Sequence, residues 1–213
     1  MVLKAPPPAP TNRVMSPEAF APAFDAPTEF LNGRLLIAMP GIDDPRFERT
    51  VLLVCRHSSE QAMAIAVNRP IDGVTVPTLL ERLGINSEIR LPDDPVLLGG
   101  PVERERGHVL HSDDYASPGS TMVVGDGVAL TATREVLDAM GSQTRRPRHA
   151  LLALGYAGWG PGQLEREIQE NVWLTCDPDE ELVFGQDHEW KWSRALAKLG
   201  VSAAQLSTQA GTA

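Results

Sequence analysis

The side chains in this chain that could do chemistry gather at a few strand ends. The densest run is Gly155-Tyr156-Ala157-Gly158-Trp159-Gly160-Pro161-Gly162-Gln163-Leu164-Glu165. It lies between an apolar run from His149 to Leu154, which reads as a buried strand, and a helical pattern from Leu164 to Ile168. A glycine-rich turn from strand to helix can bind an anion, because the first helical N–H groups are unpaired and glycine lets a ligand approach the backbone. A phosphate loop of the G-x-x-x-x-G-K-[ST] type also needs a lysine for phosphate and a hydroxyl for magnesium. Gly155 and Gly160 have that spacing, but Pro161 and Gly162 stand where the lysine and hydroxyl belong. The dinucleotide pattern G-x-G-x-x-G fails too, because the later glycines fall at Gly158, Gly160 and Gly162. Glu165 and Glu167 suit the positive end of a helix and repel an anion beside it. The run therefore reads as a corner that packs Trp159 on the sheet, with Gly162 and Gln163 kept as candidate ligand contacts.

Four other constellations carry polar chemistry. Asn68-Arg69-Pro70 ends an apolar run, and Arg69 has a forked donor that fits a carboxylate or phosphate or ties down a loop. Gly99-Gly100-Pro101-Val102-Glu103-Arg104 is either a plain turn or a backbone nest for an anion. His111-Ser112-Asp113-Asp114 sets a histidine beside two carboxylates. Together with Asp43, Asp44 and His57 it offers metal-ligand types, but no HExxH, CxxC or His-x-His spacing is present, so no metal or other cofactor is expected. Asp113 and Asp114 read as turn residues. Cys55 and His57 would share one face of a regular strand, yet Cys55 lies in an apolar run that favours a buried, unreactive thiol. The candidate ligand pocket is thus Asn68, Arg69, Gly99, Gly100, His111, Trp159, Gly162 and Gln163, and no residue is assigned a catalytic role.

The elements that must position these residues follow from hydrophobic period. Strands are expected over Arg34–Met39, Thr50–His57, Ala62–Asn68, Val96–Leu98, Gly107–Ser112, Ser120–Val124, Val128–Thr131, His149–Leu154 and Asn171–Thr175. Residues 58–61 suit a hairpin loop. Leu79, Leu80 and Leu83 mark a helix with Pro77 in its first turn and Gly84 at its stop. Val136, Leu137 and Met140 mark a second helix, with Thr131 or Thr133 as its cap. Trp192, Ala195, Leu196 and Leu199 mark a last one between Asp187 and Gly200. The mixed order is not a βαβ repeat and points to one α/β domain over 29–200. Residues 1–28 are proline-rich and read as a disordered tail, with Phe20, Phe24 and Phe30 able to anchor its end. Residues 201–213 read as frayed.

Bulk composition bounds the function. The chain has 213 residues, 42% of them apolar, and a net charge of −9. That balance disfavours direct DNA binding, which relies on displacing counterions with lysine and arginine. The one compact basic run, Arg145-Arg146-Pro147-Arg148-His149, reads as a solvated loop. No apolar run reaches the roughly 18 residues of a membrane span, and the first ten residues lack an apolar secretory stretch. A cytoplasmic protein without membrane contact is expected.

Several of these pieces occur together in one known family. Leu36-Ile37-Ala38-Met39-Pro40-Gly41, Asp44-Pro45-Arg46-Phe47, Asn68-Arg69-Pro70, Gly99-Gly100-Pro101-Val102, His111-Ser112, Gly155-Tyr156-Ala157-Gly158-Trp159, Gly162-Gln163-Leu164-Glu165 and Asn171-x-Trp173-Leu174 resemble, in this order, the YqgE/AlgH family of bacterial proteins. The resemblance spans about residues 31–200. It implies an α/β fold whose mixed, branched β-sheet curls into a pseudo-barrel with covering helices. It transfers no catalytic residues, and the family's common label is transcriptional regulator. Three readings follow. One is a non-enzymatic regulatory or interaction protein, acting indirectly through an unknown protein or small-molecule partner. The second is a hydrolase or nuclease acting on a phosphorylated substrate. The third is a scaffold or dimer that uses Trp159, Trp173, Trp190 and Trp192.

Overall fold

The computed structural model describes residues 30–125 and 127–201. The tail expected over 1–28, with Phe20 and Phe24, lies outside these residues, as does the end expected to fray beyond Val201. In chain order the elements are β1 (Leu35–Ala38), a 3₁₀ turn (Pro45–Phe47), β2 (Val51–His57), β3 (Ala62–Ala66), β4 (Pro70–Thr75), α1 (Val76–Arg82), β5 (Pro95–Leu98), β6 (Val102–Ser112), β7 (Thr121–Gly125), β8 (Val128–Thr131), α2 (Arg134–Met140), β9 (Ala150–Trp159), α3 (Gln163–Gln169), β10 (Trp173–Cys176), α4 (Glu180–Phe184) and α5 (His188–Lys198).

The main sheet runs β10-β1-β2-β3-β9-β6-β8-β7, with every neighbour antiparallel. It branches at β9. There β5 pairs in parallel, with Leu97 opposite Ala153, and β4 pairs with β5 in turn. The sheet curls until Gly33, just before β1, meets the far edge strand, where a Cβ on Gly33 would lie 3.1 Å from the Val124 carbonyl oxygen. The expected mixed, branched sheet curled into a pseudo-barrel is thus the fold, as a half-barrel with helices on both sides.

Three apolar clusters hold these layers together. The inner one draws on both halves of the sheet, including Leu35, Leu53, Ile65, Leu110, Leu130 and Leu151, and is closed by Leu182, Val183, Trp192, Ala195 and Leu196 of α4 and α5. An outer cluster packs Leu164 of α3 with Leu36, Leu52, Val54, Trp159 and Trp173. A second outer cluster packs Val76 and Leu80 of α1 and Val136 and Met140 of α2 on Val96, Val109 and Leu152. Each fully buried leucine contributes about 1.5–3 kcal/mol relative to exposure. Helix caps agree with the expected starts and stops. Thr75 caps α1, Gly84 follows it at φ +66°, and Thr133 rather than Thr131 precedes α2.

The fold departs from the sequence expectation at four places. The first is the opening run itself. β9 does not stop at Leu154 but continues through Gly155-Tyr156-Ala157-Gly158-Trp159, so the corner shrinks to Gly160-Pro161-Gly162. Gly155 makes this possible. Its φ of +73° shifts the side-chain alternation by one residue, so Ala153 and Tyr156 face the inner core while Ala157 and Trp159 face α3. The second departure is β4, which the period missed because its residues are mostly exposed and include Pro70 and Gly73. The third is the first half of β6, Val102 to Arg106, an exposed and charged stretch without apolar alternation. The fourth is α4, too short for a periodic signal and started by Asp179, which accepts the Leu182 N–H at 2.8 Å.

Tryptophan use is uneven. Trp159, Trp173 and Trp192 are buried, whereas Trp190 is 65% exposed. Phe30 stands edge-on to His57 at 5.4 Å, at the point where the described chain begins.

Candidate functional site

A cleft of about 240 Å³ opens where β3, β5 and β6 leave the branch point on β9. Its wall begins with the 3₁₀ turn. Asp44 starts that turn by accepting the Arg46 N–H at 3.0 Å, and Pro45 fixes its first residue. The turn sets Arg46 and Phe47 side by side. Arg46 forks onto its own capping carboxylate at 2.6–3.0 Å, and this bond, ahead of every other influence, holds the Asp44 carboxyl below its ordinary range. Phe47 packs edge-on to Trp173 at 5.5 Å.

Asn68 and Arg69 supply the next wall. The Asn68 amide accepts from the Val51 N–H at 2.9 Å and donates to the Arg49 carbonyl at 2.8 Å. Arg69 donates through Nη1 to the Glu48 carbonyl at 3.0 Å and to Thr50 Oγ1 at 3.3 Å. The pair ties down the loop before β2. It uses one end of the guanidinium to do so, and Arg69 still lines the cleft.

The glycines at the end of β5 serve packing. The Gly99 N–H donates to the Leu154 carbonyl at 2.8 Å and its carbonyl accepts from Ala66 at 2.9 Å. A Cβ on Gly100 would stand 2.1 Å from the Tyr156 carbonyl carbon, and one on Gly99 would stand 2.3 Å from the Gly155 oxygen. Two backbones approach there too closely for any side chain. The Gly99 donor is spent, so an anion nest at that residue is ruled out, while Gly100 contributes its open face to the cleft.

The last wall comes from β6. Val102 pairs with Tyr156 and Gly107 with Leu154, so the residues between them arch away from β9, and Glu103 takes φ +47°. The arch sends Arg104 into the cleft. Arg46, Arg69 and Arg104 therefore surround a floor of Phe47, Ala66, Leu98 and Pro101, with Thr50 as the single hydroxyl side chain and no carboxylate, imidazole or thiol in the lining.

A larger cleft of about 470 Å³ adjoins the first and shares Arg46, Phe47 and Pro101 with it. Glu167 of α3 organises it. One carboxylate oxygen accepts both indole N–H groups, from Trp159 at 2.8 Å and from Trp173 at 2.7 Å, and the other accepts from the Gln163 amide at 2.9 Å. Gln163 in turn accepts the Gly160 N–H at 3.1 Å and so fixes the corner.

The expected pocket residues are thus divided. Arg69 and Gly100 line the first cleft, and Trp159 and Gln163 line the second. Asn68 and Gly99 stand behind as supports. Gly162, at φ +65°, turns the chain into α3 and lines neither cleft. His111 lies elsewhere. It is fully buried between β6 and β8, with Nδ1 2.9 Å from the Ser112 carbonyl and Nε2 2.9 Å from Thr131 Oγ1. Burial, ahead of every other influence, holds its pKa below the ordinary value. Sequence reasoning paired it with the carboxylates because they are neighbours in the chain, but Asp114 instead accepts from Ser112 and from the Arg148 N–H.

His57 does not join Cys55 either. A bulge between Val54 and Arg56 breaks the alternation, leaving Cys55 in the inner core and His57 on the α3 side, 3.2 Å from Glu165. Desolvation pushes the Cys55 thiol up to about 12. Among the described residues no three His, Cys, Asp or Glu side chains converge as a metal site. Arg46, Phe47, Arg104 and Glu167 stood inside motifs read from the sequence but were not assigned to the candidate pocket. The Asp44-Pro45 turn signal marked the first two, and the i, i+4 spacing from Gln163 marked the last.

A single branched sheet curled into a half-barrel, with its clefts at the branch strand, defines the class: a mixed α/β half-barrel protein. A sequence model of the AlgH-like family matches residues 35–204. A protein of Caulobacter vibrioides named UPF0301 protein is 68% identical over 185 residues, which is 87% of this chain and 95% of that protein. A namesake from Rhodopseudomonas palustris is 53% identical over 87% of this chain and 88% of its own. The solution structure of the AlgH protein from Pseudomonas aeruginosa superposes with a TM-score of 0.68 at 38% identity, covering 88% of this chain and 98% of that one. A crystal structure from Corynebacterium diphtheriae shares the fold with a TM-score of 0.65 at 19% identity, over 84% of this chain and 92% of that one. The chain belongs to the AlgH-like family.

Proposed function

We propose that this protein is a non-enzymatic regulatory or interaction protein, and that it works by holding an anionic group of a small ligand or protein partner in the arginine-lined cleft. The observation that carries this reading is the lining itself. Three guanidiniums face an apolar floor, and the one hydroxyl among them, Thr50, has no carboxylate or imidazole in the lining to activate it. Arginine forks suit phosphate and carboxylate oxygens in pairs. The Arg69 anchor pre-sets one of those forks, which lowers the ordering cost of binding.

The hydrolase or nuclease reading uses the same cleft and needs a general base that the lining does not include. Any control of transcription runs through the bound partner, because the chain carries a net charge of −9 and no helix among the described residues carries a run of basic residues. The protein works in the cytoplasm. Among the described residues no helix is long and apolar enough to cross a membrane.

Calorimetric titration with pyrophosphate tests the reading. Saturable binding is expected, weakened about tenfold by Arg104→Ala and again by Arg69→Ala, a loss of about 1.4 kcal/mol for each contact. Absence of binding at low salt, or hydrolysis of the probe, overturns it. Tight, sequence-specific and salt-sensitive DNA binding in a gel shift overturns the indirect route.

A further inference from the structure

The mouth of the half-barrel beside Tyr156 contains a polar atom that the fold leaves unpaired. His108 sits on β6, 3% exposed, with its ring edge-on to Tyr156 at 5.8 Å. Its Nδ1 is buried and has no hydrogen-bond partner. Buried polar atoms in folded proteins are nearly always paired, so an orphan on a side chain that lines a cleft is hydrogen-bonding capacity held in reserve beside it. Burial is the main reason its pKa falls below the ordinary value, with the Arg106 charge adding to the fall. A neutral imidazole can accept or donate at Nδ1, according to tautomer.

His108 lines a cleft of about 510 Å³, within the usual range for small-molecule sites. Met63, Leu130 and Ala132 give it apolar walls. The Tyr156 ring lies over Gly158, where a Cβ would come within 3.3 Å of Tyr156 Cε2, so the glycine keeps the ring flat against the strand. Arg56 and Arg106 line the same cleft, and no carboxylate does. Arg106 is held by Glu103 at 3.1 Å, while Arg56 makes no ion pair among the described residues. The arch in β6 thus sends Arg104 to one cleft and Arg106 to the other.

We propose that this mouth binds a small aromatic carboxylic acid that carries a second polar group. The carboxylate meets Arg56 and Arg106. The ring lies between Met63, Leu130 and Tyr156, where a flat body gains sulfur–aromatic and edge-to-face contacts at little rotational cost. The second polar group pairs with His108 Nδ1, which is closed to solvent in this orientation and comes to the cleft when the ring turns about its Cβ–Cγ bond. None of the arginines of the pyrophosphate-binding cleft takes part, so the two sites fail or succeed separately.

The test is a nuclear magnetic resonance titration of the full chain with benzoate, 3-hydroxybenzoate and 4-hydroxybenzoate. Saturable shifts are expected at His108, Tyr156 and Gly158, and at least one hydroxybenzoate binds about five- to tenfold more tightly than benzoate, as one buried hydrogen bond provides. His108→Phe removes that advantage. Arg56→Ala, at an exposed position, weakens all three probes about tenfold. The ring nitrogen signal of His108 in the unmodified protein gives a readout that does not depend on the variant folding, and it moves with hydroxybenzoate more than with benzoate. The proposal falls if no probe gives saturable shifts at the mouth, if the hydroxyl advantage is absent or survives in His108→Phe, if the His108 nitrogen stays fixed, or if the probes instead perturb Arg69 and Gly100.

Discussion

The polar cluster around His111 and the cleft around Arg69 both stood among the candidate ligand contacts and have opposite fates. Around His111 every donor and acceptor is used: both ring nitrogens are paired, Thr131 bridges on to Thr121 at 2.7 Å, and the histidine has no exposed surface. Around Arg69 part of one guanidinium is spent on the loop, Arg46 is half committed to Asp44, and Arg104 has no ion pair among the described residues. A closed network stabilises a fold, because breaking it strands buried groups. An open set of donors beside an apolar floor contributes little to stability and is available for binding. What separates the two functionally is the count of unspent donors.

The sharpest attack on this contrast removes a hub. Glu167→Leu leaves the indole N–H groups of Trp159 and Trp173 without their shared acceptor. A loss of about 3 kcal/mol is expected in urea unfolding, since each stranded buried donor costs about 1–3 kcal/mol. A loss below 1 kcal/mol would mean that the tryptophan cleft is as open as the arginine one.

Lys191 tests the same rule on a charge. It is 1% exposed, and its ammonium donates to the carbonyls of Val67 and Val183, both at 2.9 Å, with no carboxylate in contact. Burial, the largest influence, lowers its pKa from 10.5 to about 8. Between those two values the unfolded chain binds more protons than the folded one, so stability rises with pH. Below about pH 8 the folded protein carries the full cost of a buried cation, of order 3 kcal/mol, and that cost is relieved as pH climbs toward 10.5. Unfolding curves of the natural chain and Lys191→Met should therefore diverge across pH 8–10.5, with the natural chain gaining relative to the variant. Parallel curves would show that the lysine is solvated.

His111→Phe should cost about 2 kcal/mol, because it strands the Ser112 carbonyl and part of Thr131, and should leave pyrophosphate affinity unchanged. Arg104→Ala is the mirror image, with stability altered by less than about 0.5 kcal/mol and affinity reduced tenfold. If both variants moved both quantities, the division into structural and binding clusters would be lost.

Much of this division was legible in part. A strand over Ala62–Asn68, which the structure ends at Ala66, the Arg69 donor and the Gly99-Gly100 pair were all visible, and so was the alternative that Arg69 ties down a loop. Its actual role combines the two, since Thr50 and Glu48 anchor one end of the guanidinium while the residue also lines the cleft. Arg104 was visible at the end of the Gly99 run but not as a cleft residue, because its segment, Glu103 to Arg106, alternates charge instead of hydrophobicity and carries no strand period. His111 was misplaced for a simpler reason. β6 ends at Ser112, so Asp113 and Asp114 lie in the turn beyond it, where strand alternation no longer sets their direction, and closeness in sequence said nothing about sharing a site.

The sequence by itself determined most of the apolar strands and most of the helices, the helix stops at Gly84 and Gly200, the buried state of Cys55, and the family, because these depend on period, turn chemistry and ordered motifs. Only the tertiary structure decided which polar groups meet. Gly155 was legible as a turn, yet it lies inside β9 and shifts that strand's alternation by one residue, sending Trp159 to α3 and Tyr156 to the inner face. The bulge in β2 likewise parts His57 from Cys55. Such one-residue shifts leave composition and motifs untouched and reverse the face that every later side chain presents, because strand side chains alternate with a period of two.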